Sequence, residues 1–312
     1  MAPGAALLDL TCGLGSDSRA LADAGLRPIS FELDPETALA ARHNLGERDG
    51  LLLRADATRR PLVAALPWMC DPDRRAEGPR GGGRSLDPEA WSPRWSDLLE
   101  LWRGAPDAVL KLAPATDWQA LDARLPAGLP RTWRAVGLGR EALELALWTG
   151  AFAEEVPHAA EFWKPESGWS ELRDDGGERE LEALDDEAAE AAPTIAEPHP
   201  TALRAGLLGV LARRHGLSPL GPGLAFLAGP EPAADPFLTR WRVVGRAPLG
   251  AKQVRRLLRE WDVGPVSVKA RGVGRSSQEL EQELRGPGSR RGQLLVARLA
   301  RRRRAFLVEP LD

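Results

Sequence analysis

Apolar residues in the first part of the chain cluster into short blocks, and each block ends at or near a carboxylate. Residues 5–8 lead into Asp9, 28–31 into Glu32, 51–53 toward Asp56, and 66–70 into Asp71. Short blocks without polar alternation read as strands buried on both faces, the pattern of a parallel sheet. Between them the period becomes helical. Ser16 and Asp17 open a run carrying Ala20, Leu21 and Ala24, and residues 36–46 are rich in helix formers and stop at Gly46. Residues 109–114 read as a fifth strand with Lys111 inside it. Residues 133–138 and 142–148 read as a final pair of strands, although the second run alone fits a helix equally well. Strands and helices alternating in this way predict an α/β domain with a mostly parallel sheet.

Beyond Thr149 the character shifts twice. Residues 151–200 hold 3 Lys/Arg against 15 Asp/Glu, and residues 201–312 hold 21 against 9, so the net charge of -3 conceals two opposed segments. The acidic segment is too polar and too like-charged to support a core, and reads as a loose connector with a hairpin over 159–169. The basic segment predicts a smaller α+β domain. Residues 202–215 form one amphipathic helix closed by Gly216, while 224–228, 239–244 and 266–270 are strands. Residues 252–261 form a basic helix, 278–284 another helix, and 293–299 with 305–308 a hairpin around Arg301 to Arg304.

At 312 residues and 43% hydrophobic content, the chain is long enough for two cores. It contains no window of about eighteen apolar residues, and no charged-then-apolar leader precedes the first strand. A soluble cytoplasmic protein with no membrane partner is therefore expected. Cys12 and Cys70 make neither a disulfide framework nor a zinc set, and His43, His158, His199 and His215 lack ligand spacing, so no metal is expected.

The chemistry concentrates at D-L-T-C-G-L-G-S-D, Asp9 to Asp17. Strand, glycine turn and helix let a ligand lie against bare backbone, because Gly tolerates positive φ and the first helical N–H groups remain free. Dinucleotide folds, methyltransferases and plain α/β loops all contain such a turn. The spacing of Glu32, at the end of the second strand, narrows the choice, since a carboxylate there can accept both ribose hydroxyls of a nucleoside. The third glycine of the dinucleotide fingerprint is replaced by Ser18, which favours a ligand without pyrophosphate, such as S-adenosylmethionine.

D-L-T-C-G-L-G-S-D, F-E-L-D-P (31–35), R-A-D-A (54–57) and C-D-P-D-R-R (70–75) together resemble the successive motifs of class I S-adenosylmethionine-dependent methyltransferases. With V-L-K-L-A-P (109–114), the Trp-Ser-Pro tract at Trp91 and the blocks D-P-F-L-T-R-W-R-V, V-S-V-K-A-R-G-V and A-F-L-V-E, the chain is similar to the bacterial family of these enzymes that has a C-terminal THUMP-like domain. The resemblance implies a Rossmann-like methyltransferase domain over 1–150, an acidic connector over 151–200 and a basic THUMP-like domain over 201–312. It implies S-adenosyl-L-methionine as cofactor, held by Asp9, Thr11, Gly13, Gly15, Asp17, Glu32 and Asp56, the last reaching the adenine amino group. Asp71 and Pro72 would handle the methyl acceptor. RNA, as tRNA or rRNA, is the implied substrate, gripped by Arg74, Arg75, Lys269 and Arg271.

Several alternatives stay open at this level. Asp71-Pro72-Asp73-Arg74 departs from the Asn/Asp-Pro-Pro-aromatic pattern of amino-directed enzymes, which leaves the general base unassigned. The same departure admits a non-catalytic RNA-binding protein that keeps the fold. A nicotinamide oxidoreductase rests on the turn alone. Cys70 reads as a core cysteine rather than a thiolate nucleophile. Residues 77–84 read as a lid or a linker, and Trp91 and Trp95 as packing residues ahead of base-stacking ones. Relatives carry a helical segment before the first strand, whereas here that strand starts about five residues after Met1, which implies a shortened reading frame or a form lacking part of the site cover.

Overall fold

A computed structural model of the chain describes residues 1–48, 50–59, 66–74, 85 and 87–311. It divides into two compact units, Met1–Leu138 with Ala142–Glu161, and Gly139–Glu141 with Phe162–Asp312.

In the first unit the strands are β1 (Ala6–Asp9), β2 (Arg27–Glu32), β3 (Leu51–Arg54), β4 (Trp68–Cys70), β5 (Ala108–Leu112), β6 (Arg131–Leu138) and β7 (Glu141–Thr149). They lie in the order β3-β2-β1-β4-β5-β7-β6. Pairing is parallel from β3 through β5, and β7 runs antiparallel to β5. The run over 142–148 is therefore a strand. Chain order reverses at β1, with β2 on one side and β4 on the other, which opens a crevice at the carboxyl ends of these strands. The helices are α1 (Ser16–Asp23), α2 (Pro35–Leu45), α3 (Trp95–Gly104) and the short α4 (Trp118–Asp122). α3 is absent from the sequence expectations. It buries Trp95, Leu98 and Trp102 at positions i, i+3 and i+7, and the Trp102 ring meets Trp68 at 5.0 Å and Trp95 at 5.4 Å. Trp91 meets Trp95 edge-on at 6.4 Å, so both belong to the core.

The hairpin read over 159–169 appears as β8 (His158–Lys164) and β9 (Gly168–Arg173). The second unit contains α5 (Asp186–Ala191), β10 (Thr194–Pro198), α6 (Pro200–Arg204), α7 (Leu208–His215), β11 (Ser218–Pro219) and β12 (Leu227–Gly229). It continues with β13 (Leu238–Pro248), α8 (Ala251–Glu260), β14 (Val263–Arg271), α9 (Ser277–Leu284), β15 (Arg290–Arg298) and β16 (Arg303–Pro310). The sheet order is β11-β12-β10-β13-β16-β15-β14, with β14 and β15 parallel. Both faces are buried. Leu294, Val296, Ala305 and Leu307 pack with Val254 and Leu258 of α8 and Leu280 of α9, whereas the alternating Leu295, Ala297, Phe306 and Val308 pack with Ile195, Phe226 and Trp241.

Two expectations change here. The acidic segment does not stay loose to its end, because Asp185 caps α5 and the apolar pair Ile195-Ala196 carries β10 into the sheet between β12 and β13. The helix expected over 202–215 is split into α6 and α7, since Gly206 takes a left-handed φ of 71° between them.

Candidate active site

β1 delivers the glycine turn to the point where the sheet reverses. Gly13 and Gly15 have φ of 53° and 83°, in the left-handed region that an L side chain enters only at a cost. Gly15 is the N-cap of α1. A Cβ there would meet Ala41 O and Leu45 Cγ at 3.4 Å, so the turn abuts α2; at Gly13 nothing lies within 4 Å, so that backbone faces open space. Asn44 Nδ2 donates to Leu14 O (2.9 Å) and the Cys12 N–H donates to Phe31 O (2.9 Å), which strap the turn to α2 and to the end of β2.

Asp9 does not face that space. It is 2% exposed, its Oδ2 accepts from Ser18 Oγ at 2.5 Å and its Oδ1 from the Thr11 N–H at 3.3 Å. Ser18 and Ser30 also share a hydrogen bond of 2.6 Å. The third fingerprint glycine is therefore replaced by the hydroxyl that serves Asp9. Desolvation by burial pushes the Asp9 carboxyl up to about 6, with the Ser18 and Thr11 hydrogen bonds opposing and the Asp17 charge adding to the rise. Asp9 thus shapes the turn from inside. Thr11 works at the surface of the same turn, where its Oγ1 accepts the Asp71 N–H (2.8 Å) and ties β1 to the end of β4.

Glu32 and Asp56 stand at the tips of adjacent strands. The Ala55 N–H donates to Glu32 O (3.2 Å), so the exit of β3 lies directly beside Glu32. Glu32 Oε1 accepts the Asp34 N–H (2.9 Å), and Asp56 Oδ1 accepts from the Thr58 N–H (3.0 Å) and hydroxyl (2.6 Å). These bonds fix each carboxylate in place. Leu33, next to Glu32, is 60% exposed and Leu14, inside the turn, 57%. Both are exposed apolar side chains beside the turn and the end of β2.

A cluster on the other side of the turn was not anticipated from the sequence. Lys111 Nζ, from the next-to-last residue of β5, lies 2.9 Å from Asp17 Oδ2 and 3.4 Å from Glu144 Oε2. Burial works against this ammonium, but the Asp17 hydrogen bond and the Glu144, Asp17 and Asp71 charges outweigh it and hold its pKa above the ordinary lysine value. Desolvation raises the carboxyls of Asp71 and Glu144, with Lys111 pulling both back down. One cation thus sits among Asp9, Asp17, Asp71 and Glu144. The available signal was a lysine in the middle of the apolar run V-L-K-L. Cys70 is buried, and desolvation pushes its thiol far up, so it offers no thiolate.

Asp71, Pro72 and Arg74 follow β4 directly. Asp73 pairs through two backbone hydrogen bonds of 2.9 Å with Ser92, joining this segment to the Trp-Ser-Pro tract. Arg75 and residues 77–84 lie outside the described residues. Lys269 and Arg271 belong to β14 of the second unit, where both bind the carboxylate of Glu197, Arg271 at 2.9 Å. The structure therefore brings Asp9, Thr11, Gly13, Gly15, Asp17, Glu32, Asp56, Asp71, Pro72 and Arg74 to the strand ends of one unit, and Lys269 and Arg271 to a separate pair in the other. Among the described residues no group of His, Cys, Asp and Glu is arranged to hold a metal ion, and no helix is long and apolar enough to cross a membrane.

Residues 238–310 match the model of the THUMP domain-like family. Over 294 residues the chain is 28% identical to an uncharacterised S-adenosylmethionine-dependent methyltransferase of Mycobacterium tuberculosis, known from strains CDC 1551 / Oshkosh and ATCC 25618 / H37Rv, covering 93% of this chain and 76% of that one. The crystal structure of a candidate methyltransferase from Porphyromonas gingivalis W83 superposes with a TM-score of 0.71 at 21% identity, covering 99% of this chain and 77% of the other. The chain thus has a methyltransferase-like fold, is similar to S-adenosylmethionine-dependent methyltransferases, and carries a THUMP domain-like match in its carboxyl-terminal part. In this methyltransferase-fold chain, the glycine turn and its ring of carboxylates occupy the sheet's reversal point.

Proposed function

We propose that this chain is a cytoplasmic S-adenosylmethionine-dependent methyltransferase that modifies RNA, either tRNA or rRNA, captured through its basic THUMP-like domain. One observation carries the reading: a glycine turn open at Gly13, with carboxylates at the carboxyl ends of β1, β2 and β4 and just past β3. The residues present fit the cofactor. The open backbone at Gly13 leaves room for a ligand against the turn, and four carboxylates around a single lysine leave that side of the turn electronegative toward a sulfonium and an ammonium.

Glu32 would accept the ribose hydroxyls and Asp56 the adenine amino group, with Leu33 against the base. Asp17 and Thr11 would flank the amino-acid end of the ligand, and Asp9 would act through the turn that it braces. When bound, the cofactor supplies a methyl group already activated by its sulfonium. The protein's remaining task is alignment, and a near-attack arrangement is worth about 7–11 kcal/mol. Asp71, held by Thr11 and kept partly basic by desolvation, would orient the acceptor and take its proton, with Pro72 stiffening the segment and Arg74 on a substrate phosphate.

The test has two arms. Calorimetry with S-adenosylmethionine should show wild-type binding and a loss of about 1.5–3 kcal/mol in Glu32→Ala, the worth of a charge-assisted hydrogen bond. Incubation with labelled cofactor and unmodified bacterial RNA should transfer label into a nucleoside identifiable by mass spectrometry. Unchanged affinity in Glu32→Ala rejects the ribose assignment, and RNA binding without transfer rejects the catalytic one.

A further inference from the structure

Among the described residues of the second unit, three basic clusters differ in how far their cations are paired, and acidic groups of the same unit meet cations in two of them. At the β15–β16 turn Arg302 meets Asp186 (3.6 Å) and Glu190 (3.3 Å), Arg304 meets Glu190 (2.7 Å), and the Arg301 N–H donates to Asp186 Oδ1 (3.1 Å). Lys269 and Arg271 share Glu197. The third cluster lies on α8. Lys252, Arg255, Arg256 and Arg259 occupy positions i, i+3, i+4 and i+7, all exposed, on the face opposite Val254, Leu257 and Leu258 in the core. Lys252 and Arg259 have no carboxylate partner among the described residues. Arg255 donates to a carbonyl, Glu283 O (2.8 Å), and Arg256 meets Glu260 only at 3.5 Å.

The chain extends this stripe with a rigid loop. A Cβ on Gly286 would lie 2.1 Å from Val263 O, and one on Gly288 would lie 2.2 Å from Asp262 C, so these glycines permit a backbone-on-backbone contact with the turn after α8. Hydrogen bonds from Gly286 to Gly264 (2.8 Å), Gly288 to Val263 (3.1 Å) and Arg290 to Asp262 (2.9 Å) close it. Arg285 and Arg290, both exposed, are thereby fixed at the carboxyl end of α8.

We infer that the outer face of α8, with Arg285 and Arg290, binds the phosphate backbone of RNA. This rests on the RNA reading above and moves the main contact away from Lys269 and Arg271, which are drawn onto the shared carboxylate of Glu197. The stripe runs about 10 Å along the helix axis. Its apolar side chains all point inward, and Trp261 at its end is partly exposed, so the surface has cations and one stacking ring but no apolar centre of the kind a protein partner needs.

The experiment measures binding of fluorescein-labelled bulk bacterial tRNA to the full chain over a range of KCl. The variant carrying K252Q, R255Q, R256Q and R259Q should lose roughly 3 from the log-log salt slope, at about 0.7 per lost phosphate contact. Single Arg256→Glu should weaken binding in the same direction, and circular dichroism checks that both remain folded. The pair K269Q and R271Q should leave the slope near wild type. A wild-type slope in the α8 variants, or a lost slope in the Lys269/Arg271 pair instead, overturns the placement while RNA capture stands. A wild-type chain that binds no tRNA overturns both.

Discussion

The buried Asp9 makes a prediction whose size follows from its surroundings. With its carboxyl pushed up to about 6 from 3.8, the folded chain holds this proton more tightly than the unfolded chain does. The contribution of Asp9 to stability is therefore full below the unfolded value and is lost as pH rises through about 6. At about 1.36 kcal/mol per pKa unit the loss totals about 3 kcal/mol, and roughly half of it falls between pH 5 and pH 8. Asp9→Asn removes the titration while keeping an acceptor for the Thr11 N–H; the Ser18 hydroxyl can turn to accept from the amide instead. Urea unfolding of both proteins at pH 5, 6, 7 and 8 measures the effect as a difference, in which every other titrating group cancels. The variant should gain on the wild type by about 1–2 kcal/mol across that range. Parallel stability curves would show that Asp9 is not strained by its burial, and would remove the account of Ser18 as its dedicated partner.

The same groups bear on the proposed cofactor site. As pH falls through about 6, Asp9 takes up its proton and the site loses negative charge, and burial raises the Asp71 carboxyl in the same direction. Affinity for S-adenosylmethionine should therefore drop between pH 8 and pH 5.5, while a flat calorimetric profile would argue against electrostatic capture. Lys111→Met leaves Asp17 and Glu144 without their cation and should cost about 1–2 kcal/mol of stability, discounted for the partial exposure of Asp17; a silent substitution would make the cluster incidental. Trp95→Ala should cost about 3–5 kcal/mol in unfolding, as a fully buried aromatic does. A folded, stable Trp95→Ala that loses only RNA affinity would return Trp95 to a base-stacking role.

Much of the first unit was legible because its strands are short apolar blocks that end in acids. β1, β2 and β3 appear near their expected positions, and Asp9, Glu32 and Asp56 follow at the ends the spacing gave. What the spacing cannot convey is direction. Asp9 and Glu32 each close a strand in the same way, yet one carboxylate is sealed beneath the turn by Ser18 and Thr11 while the other lies at the rim. The Lys111 cluster was hidden for a related reason. Asp17, Lys111 and Glu144 lie far apart in sequence and meet only because β5 pairs with β7 and α1 begins beside them. In the second unit Gly206 reads as one small residue in a helical run, and only its left-handed φ reveals the break between α6 and α7.

Charge counted along a chain likewise says nothing about where each charge is spent. Residues 201–312 carry 21 Lys/Arg against 9 Asp/Glu, which suggests a surface basic throughout. Yet the acids of the preceding segment return to it, with Asp186 and Glu190 on α5 meeting Arg302 and Arg304, and Glu197 on β10 meeting Lys269 and Arg271. Paired carboxylates reduce the local potential that steers a polyanion, so these clusters contribute less to long-range capture than their number implies. The acidic segment is therefore more than a connector: its carboxylates pair with cations at two basic clusters and, among the described residues, with none on α8, which would leave α8 the least compensated surface for the proposed phosphate backbone. Neutralising Asp186 and Glu190 should consequently raise nonspecific polyanion binding at the β15–β16 turn, and the same change is not expected to strengthen contacts at α8.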